Sequence, residues 1–309
     1  MLVLINPNAG GGQALTKWKK VEPVLRSINP SVNECVLDGN IAAERTIAQA
    51  LDDGETEFVA GGGDGTVNGL LNTLFSLVER DRIQDIALGA IGLGSSNDFH
   101  KPFSRNRLVD GVPMSVDFAA AVPRDVGSIT CEDGDSYKTK YFLVNASIGV
   151  TAEANKFFNN PDRQLQYLKR FHMPSAILYA AIKTILSYKN IHAWVLSTET
   201  GLKAVDLSNL GVVKNSHFSG SLHYPVVADY GSGMFSVNLC HDLRRIELFA
   251  VLGRLARGKF NEEEKTCSWC TGALDVFSDR PFAIEYDGEI MTTTVAHFGI
   301  LPRHLKVCP

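Results

Sequence analysis

The chain has 309 residues, 45% hydrophobic and 21% charged, an ordinary globular composition long enough for about two domains of average size. With 30 Lys and Arg against 34 Asp and Glu, the net charge of −4 excludes a nucleic-acid binder that works by general electrostatic attraction. Met1–Ile5 is too short for a signal peptide and lacks its basic lead-in, and no uncharged apolar run approaches ~18 residues, so a soluble, cytoplasmic protein is expected.

From the N-terminus, Leu2–Ile5, Glu34–Leu37, Phe58–Ala60 and Ile86–Ile91 read as strands, separated by helical patterns near 13–28, 41–53 and 66–80. That alternation predicts a parallel, doubly wound α/β domain over residues 1–125. After about 125 the pattern changes to short apolar runs with turn signals, at Tyr141–Val144, His192–Thr198, Val212–Val213, Phe235–Leu239, Leu274–Phe277 and Phe282–Tyr286. These predict a β-rich, sandwich-like second domain over 126–309, interrupted by helices at about Gln164–Tyr188 and Leu243–Arg257.

Three of the four early strands run into distinctive loops: Asn6-Pro7-Asn8-Ala9-Gly10-Gly11-Gly12, Gly61-Gly62-Gly63-Asp64-Gly65-Thr66, and Gly92-Leu93-Gly94-Ser95-Ser96-Asn97-Asp98-Phe99. Ligands of such sheets bind beyond the carboxyl ends of the strands, so the three loops are expected to line one crevice. Glycines at a strand end let backbone N–H groups approach a phosphate, and the helix after Thr66 adds the positive end of its dipole. Asp64 puts a carboxylate into a site otherwise suited to anions, which makes sense if it binds Mg²⁺ or orients an attacking hydroxyl. The plain alternative is a tight turn with Asp64 capping the helix. Ser95 to Asp98 offers two hydroxyls, an amide and a carboxylate in one turn, with a simple helix cap as its alternative.

Other motifs are set aside. No G-x-x-x-x-G-K-[ST] occurs, and Gly92-Leu93-Gly94-Ser95-Ser96-Asn97 ends in Asn where the dinucleotide fingerprint needs Gly or Ala. Cys267-Ser-Trp-Cys270 lacks the partners of a zinc site and lies in a strand-like stretch; the six cysteines read as reduced thiols. The histidines show no metal-binding spacing. Downstream, Tyr286-Asp287-Gly288-Glu289 is either a turn or a source of a general base or Mg²⁺ ligand.

These motifs, in this order, resemble the diacylglycerol kinase-like lipid kinase family, which includes bacterial diacylglycerol kinases and, more distantly, sphingosine and ceramide kinases. The resemblance runs from Asn6-Pro7 through Gly62–Asn68, Gly94–Phe99, Asp125-Val126-Gly127, Tyr141–Gly149 and Arg257-Gly258-Lys259 to Asp287-Gly288-Glu289. It implies an ATP-binding α/β domain and a β-rich lipid-binding domain with the active site in the cleft between them, and phosphorylation of a lipid hydroxyl in phospholipid biosynthesis. Carried over by position, Asn6, Gly10, Gly62, Gly63, Asp64, Gly65, Thr66, Ser95 and Asp125 would bind ATP. Asp64 and Asp125 would hold Mg²⁺, and Asp64 and Glu289 would be catalytic, with Glu289 favoured as the base. Gly11 stands where many relatives carry a basic residue. Some relatives hold a structural Mg²⁺ through a D-G element; the matching stretch here, Asp229–Met234, has Ser232 in place of the acid.

The implied partner is a lipid at a membrane surface, with no nucleic acid and no transmembrane segment; transient membrane association is expected, and a homodimer is left open. The alternatives are a kinase of a soluble acceptor such as NAD, or a nucleotide-binding module without catalysis. The helix from Leu243 to Arg257 can be read as a membrane-facing surface, and Ile177, Leu178, Ala181, Ile182 and Ile185 as the wall of an acyl-chain pocket, with core packing the plain reading of both.

Overall fold

The computed structural model describes residues 1–38, 40–103, 107–133, 136–225 and 227–309. The chain divides into two compact units, one of Met1–Asp125 with Arg303–Pro309, the other of Val126–Pro302.

In the first unit, β1 (Leu2–Ile5) is apolar and buried throughout, which marks a central strand. It is followed by α1 (Ala14–Ile28), β2 (Asn33–Val36), α2 (Asn40–Asp52), β3 (Glu57–Gly62), α3 (Asp64–Leu77) and β4 (Ala87–Gly92). β1 pairs in parallel with β2 on one side and β3 on the other, and β3 pairs in parallel with β4. The order β2-β1-β3-β4 puts the reversal of winding beside β1, where doubly wound sheets open a crevice at their carboxyl ends. Helix α1 buries Ala14, Trp18, Val21 and Leu25, a single helical stripe, against Val3, Ile5, Val59 and Ile91 of the sheet. Both faces of the central strands are covered, so they read in the sequence as unbroken apolar runs.

The free edge of β4 is closed twice. Near its end it pairs antiparallel with β5 (Val112–Ser115), and near its start the returning C-terminal segment lies parallel to it, Lys306 opposite Ala87 and Val307 opposite Leu88. Leu305, Val307 and Cys308 are buried there. The sequence pattern placed 303–309 with the second domain; nothing in its local periodicity announces a return to the first.

The second unit is strand-rich. β6 (Val122–Asp133) and β7 (Ser136–Phe142) form a hairpin, followed by β8 (Asn145–Gly149) and three helices, α4 (Val150–Asn159), α5 (Arg163–Phe171) and α6 (Met173–Ser187). Then come β9 (Ile191–Ser197), β10 (Gly201–Val213), β11 (Phe235–His241), α7 (Arg245–Leu255), β12 (Thr266–Thr271), β13 (Leu274–Tyr286) and β14 (Glu289–Val307). Antiparallel pairing runs β12-β11-β10, and β8 and β9 share the gap between β10 and β13. The core gathers Ile129, Phe142, Ile148, Val195, Leu210, Val237, Phe282 and Phe298.

Several expected elements are corrected. The run Tyr141–Val144 straddles the corner between β7 and β8, because the amides of Leu143, Val144 and Asn145 all donate to the carboxylate of Asp287. The single helix expected at Gln164–Tyr188 is two, α5 and α6, broken where His172 caps the second and Pro174 follows. Leu274–Phe277 and Phe282–Tyr286 are one strand with an irregularity between them. Val212–Val213 is only the buried end of a 13-residue strand.

Removal of residues 303–309 is therefore expected to do more than trim a tail. In hydrogen exchange, the amides of β3 and β4 should lose protection while those of β10 and β11 keep theirs; unchanged protection in β4 would refute this account of the edge.

Candidate active site

The three glycine-bearing loops leave the carboxyl ends of β1, β3 and β4 and are bonded to one another by backbone. Asn6 N donates to Gly61 O at 2.9 Å, and Leu93 N and Gly94 N both donate to Gly62 O, at 2.9 and 3.1 Å. Side chains close the ring. Asn6 Nδ2 donates to Thr66 Oγ1 at 3.1 Å while its Oδ1 accepts from Asn8 N, and Asp64 Oδ1 accepts from Phe99 N at 2.9 Å.

Two glycines are required by close approach. A Cβ on Gly94 would lie 2.4 Å from Gly63 Cα, and one on Gly10, where φ is +60°, would lie 2.5 Å from Leu93 O. At Gly11 and Gly12, in contrast, a Cβ would meet nothing within 4 Å. The ring is thus tight where loops touch and open along the first loop.

Helix α3 begins at this ring with Gly63 as its N-cap and no side chain capping it. The Thr66 amide turns back to Gly63 O at 2.9 Å, and the positive end of the helix dipole is presented to the loops with no side-chain cap over it. The simple helix-cap alternative for Asp64 does not hold: Asp64 is inside the first turn, and its carboxylate reaches across to the third loop. In that loop Asn97, at φ 51°, donates from Nδ2 to Gly92 O at 3.1 Å and shapes the turn. Asp98 is buried and paired with Lys101 at 2.7 Å, while Ser95 is exposed.

Lys17 was not singled out by the sequence. Its Nζ donates to Leu93 O at 3.2 Å and Gly94 O at 2.9 Å, placing a cation among the loops, and partial burial lowers its pKa. The available signal was helical spacing, since Lys17 lies next to the stripe of Ala14, Trp18 and Val21.

The other expected site residues lie elsewhere. Asp125 is buried, and its Oδ1 accepts from Arg303 N at 2.9 Å, so it fastens the two segments by which the chain leaves and re-enters the first unit. Glu289 belongs to the second unit, opposite Tyr286 at the head of the β13–β14 hairpin. Asp287 and Gly288 have φ of 45° and 92°, as a two-residue hairpin turn with both residues left-handed requires. Asp287 is buried and accepts three backbone N–H bonds of 2.8 to 3.0 Å, while Glu285 accepts from Gly288 N and Ser147 Oγ. The turn reading of this segment holds: Asp287 and Gly288 make the turn, and Glu289 follows it. The side chain of Glu289 reaches solvent, yet burial raises its pKa, with Lys140 pulling the other way.

Lys214 also escaped the sequence reading. It is buried, and Nζ donates to Asp229 O and Met234 O, both at 2.7 Å, while Ser232 Oγ donates to Asp229 O. The loop with Ser232 in place of an acid is organised here by an internal ammonium. The backbone amides of Lys214 and Asn215 both donate to Val144 O, next to the Asp287 clamp.

Among the described residues no group of three His, Cys, Asp or Glu is placed to hold a metal ion. The ring nonetheless suits Mg²⁺ bound jointly with a nucleotide, because such an ion takes one or two carboxylates and completes its shell with phosphate oxygens and water. Asp64 supplies a carboxylate, with the hydroxyls of Thr66 and Ser95 in the same loops.

Residues 1–128 match the diacylglycerol kinase catalytic domain. The chain is 23% identical over 322 residues to a protein named diacylglycerol kinase from Mycobacterium tuberculosis, covering 97% of this chain and 94% of that one. A crystal structure of a diacylglycerol kinase from Bacillus anthracis superposes with a TM-score of 0.68 at 15% identity, over 99% of this chain and 95% of that one. A yeast NADH kinase complexed with NADH shares the fold more distantly, with a TM-score of 0.50 at 9% identity, over 99% of this chain and 81% of the other.

The close approach of Gly94 to Gly63 gives a direct test. Gly94→Ala should force the second and third loops apart and speed exchange of the Gly94 and Phe99 amides about tenfold or more, with β1 protection unchanged; unaltered exchange at both amides would show that the ring is not held this way.

Proposed function

We propose that this chain, whose residues 1–128 match the diacylglycerol kinase catalytic domain, transfers the γ-phosphate of Mg-ATP to the hydroxyl of a diacylglycerol-like lipid. The observation that carries this reading is the ring of three loops around a helix N-terminus with no side-chain cap, into which Asp64 brings a carboxylate and Lys17 an ammonium. Phosphoryl transfer asks little covalent chemistry of a protein; it asks for positioning and for charge placed where the transferring group develops its own.

In this proposal the first unit holds the nucleotide and the second the acceptor. Asn6, Gly10, Gly62, Gly63, Asp64, Gly65, Thr66 and Ser95 contact ATP, with the α3 amides on its phosphates. Lys17 provides the phosphate-side cation that Gly11 does not. Asp64 holds Mg²⁺ together with phosphate oxygens and water, and the bound ion neutralises charge on the phosphoryl oxygens, while Asp125, expected from the sequence to share the ion, is engaged with the amide of Arg303. Glu289 takes the proton of the acceptor hydroxyl, held in place through the Asp287 turn.

The experiment is transfer of labelled γ-phosphate into organic-extractable product from mixed micelles of diacylglycerol. Label in phosphatidic acid supports the proposal. Label appearing instead in NAD would move the activity to a soluble acceptor, consistent with the shared fold of the NADH kinase, and ATP binding without any transfer would leave a binding module. Asp64→Asn and Glu289→Gln are each expected to lower kcat by roughly 10²- to 10⁴-fold with the thermal unfolding midpoint retained. Full activity in both variants would overturn the site.

The raised pKa of Glu289 has a sign that can be read in kinetics. A base must be ionised, so kcat/KM should be low below that pKa and rise as pH passes through it, with the acidic limb above the ordinary glutamate value of about 4.3. Lys140→Met removes the cation that favours the ionised form and should move the limb further up. A limb that ignores Lys140 would assign it to another group.

A further inference from the structure

Helix α6 carries a large apolar stripe on its outside. Its buried residues are Ala176, Ala180, Thr184 and Ile185, whereas its outward stripe is Pro174, Leu178, Ile182 and Leu186. Leu178 is 55% exposed, Ile182 38% and Leu186 53%. Positions 174, 178, 182 and 186 succeed one another every fourth residue, a continuous apolar ridge about 18 Å long at the helical rise. On neighbouring α5, Tyr167 and Phe171 are also about two-thirds exposed and lie in contact, their rings tilted by 41° with centroids 4.6 Å apart. The acyl-pocket reading of Leu178 and Ile182 is corrected by this exposure; only Ile185 of that group is buried.

The charge around this ridge is one-sided. From Arg163 to Asn190 there are five Lys or Arg and no Asp or Glu, in a chain whose net charge is −4. Lys183 faces Asp162 and Lys169 folds back onto Phe158, but Arg163, Arg170 and Lys189 are exposed. Helix α7, the other membrane-facing candidate in the sequence, lacks this character: Leu248, Val251 and Leu255 enter the core, and Arg244 and Arg254 pair with Glu247 and Glu263.

We propose that the exposed ridge of α6, with the aromatic pair of α5 and its flanking cations, docks on the surface of an anionic lipid bilayer. Apolar side chains enter the acyl boundary, aromatic rings sit at headgroup level and cations meet the anionic headgroups, the pattern of helices that lie on a membrane. No helix among the described residues is long and apolar enough to cross a membrane. The proposal rests on the lipid-acceptor reading for its purpose, since an acceptor dissolved in a bilayer must be met there, while the binding itself requires no turnover.

The full chain is floated with phosphatidylglycerol–phosphatidylcholine vesicles that contain no diacylglycerol, and with phosphatidylcholine vesicles alone. The expected result is flotation with the anionic vesicles, reduced about tenfold or more in Leu178→Gln/Ile182→Gln/Leu186→Gln and in Arg163→Glu/Arg170→Glu, but not in Leu202→Gln, which alters an exposed leucine elsewhere. Equal flotation of the triple variant, or none by the unaltered chain, overturns the proposal. So does a dimer in sedimentation that the triple variant dissolves, which would make the ridge an interface between copies. A monomeric short-chain diacylglycerol, supplied without vesicles, separates the two readings: phosphorylation with no flotation removes the docking surface and keeps the kinase reading, and flotation with no phosphorylation does the reverse.

Discussion

The candidate site depends on one contact that no side chain makes: the backbone of Gly94 lies against that of Gly63 so closely that a single added carbon would collide at 2.4 Å. Two loops from neighbouring parallel strands can come this near only without Cβ atoms. Once they do, the Gly62 carbonyl serves both Leu93 and Gly94, Asp64 can reach the amide of Phe99, and Lys17 can bridge the carbonyls of the third loop from a different helix. The ring is therefore rigid without being large. It leaves the N-terminus of α3 with no side-chain cap, a donor-rich end that would be costly to bury and is useful only beside an anion.

The second unit achieves the same fixity by opposite means. There a buried carboxylate, Asp287, gathers three amides at a chain corner, and a buried ammonium, Lys214, gathers two carbonyls of a neighbouring loop. Val144 connects them, its N–H on Asp287 and its carbonyl on the amides of Lys214 and Asn215. Charge-assisted bonds of this kind are stronger than neutral ones and punish the loss of either partner. Glu289 is two residues from this network, so its placement is set by groups that do not themselves need to touch a substrate.

The sheet of the first unit was readable because its strands are buried on both faces and its loops carry glycine in a pattern that local chemistry explains. Asp64 and its neighbours came with those loops. Lys17 and Lys214 did not, because a lysine is informative only once the fold shows which carbonyls it meets; in sequence one was part of the helical run Lys17-Trp18-Lys19-Lys20 and the other followed an apolar strand. The corner at Leu143–Val144 was hidden for a similar reason, since its cause is a carboxylate 143 residues away. The outward ridge of α6 misled in another way: periodicity reveals that a helix has apolar stripes, but a helix apolar on more than one side gives no sign of which stripe is inward.

The bond between Asp125 and the amide of Arg303 has a consequence in time as well as in space. The unit translated first is the unit completed last, because its edge strand is made only after residues 126–302 have been added. At bacterial or eukaryotic elongation rates that interval is roughly 10 to 40 s. Throughout it, β4 lacks the cover later given by residues 306 and 307, while the strands of the intervening unit are made one after another. The first unit in chain order is thus the last to be covalently complete, and the parallel edge that waits for its cover belongs to the N-terminal half of the nascent chain.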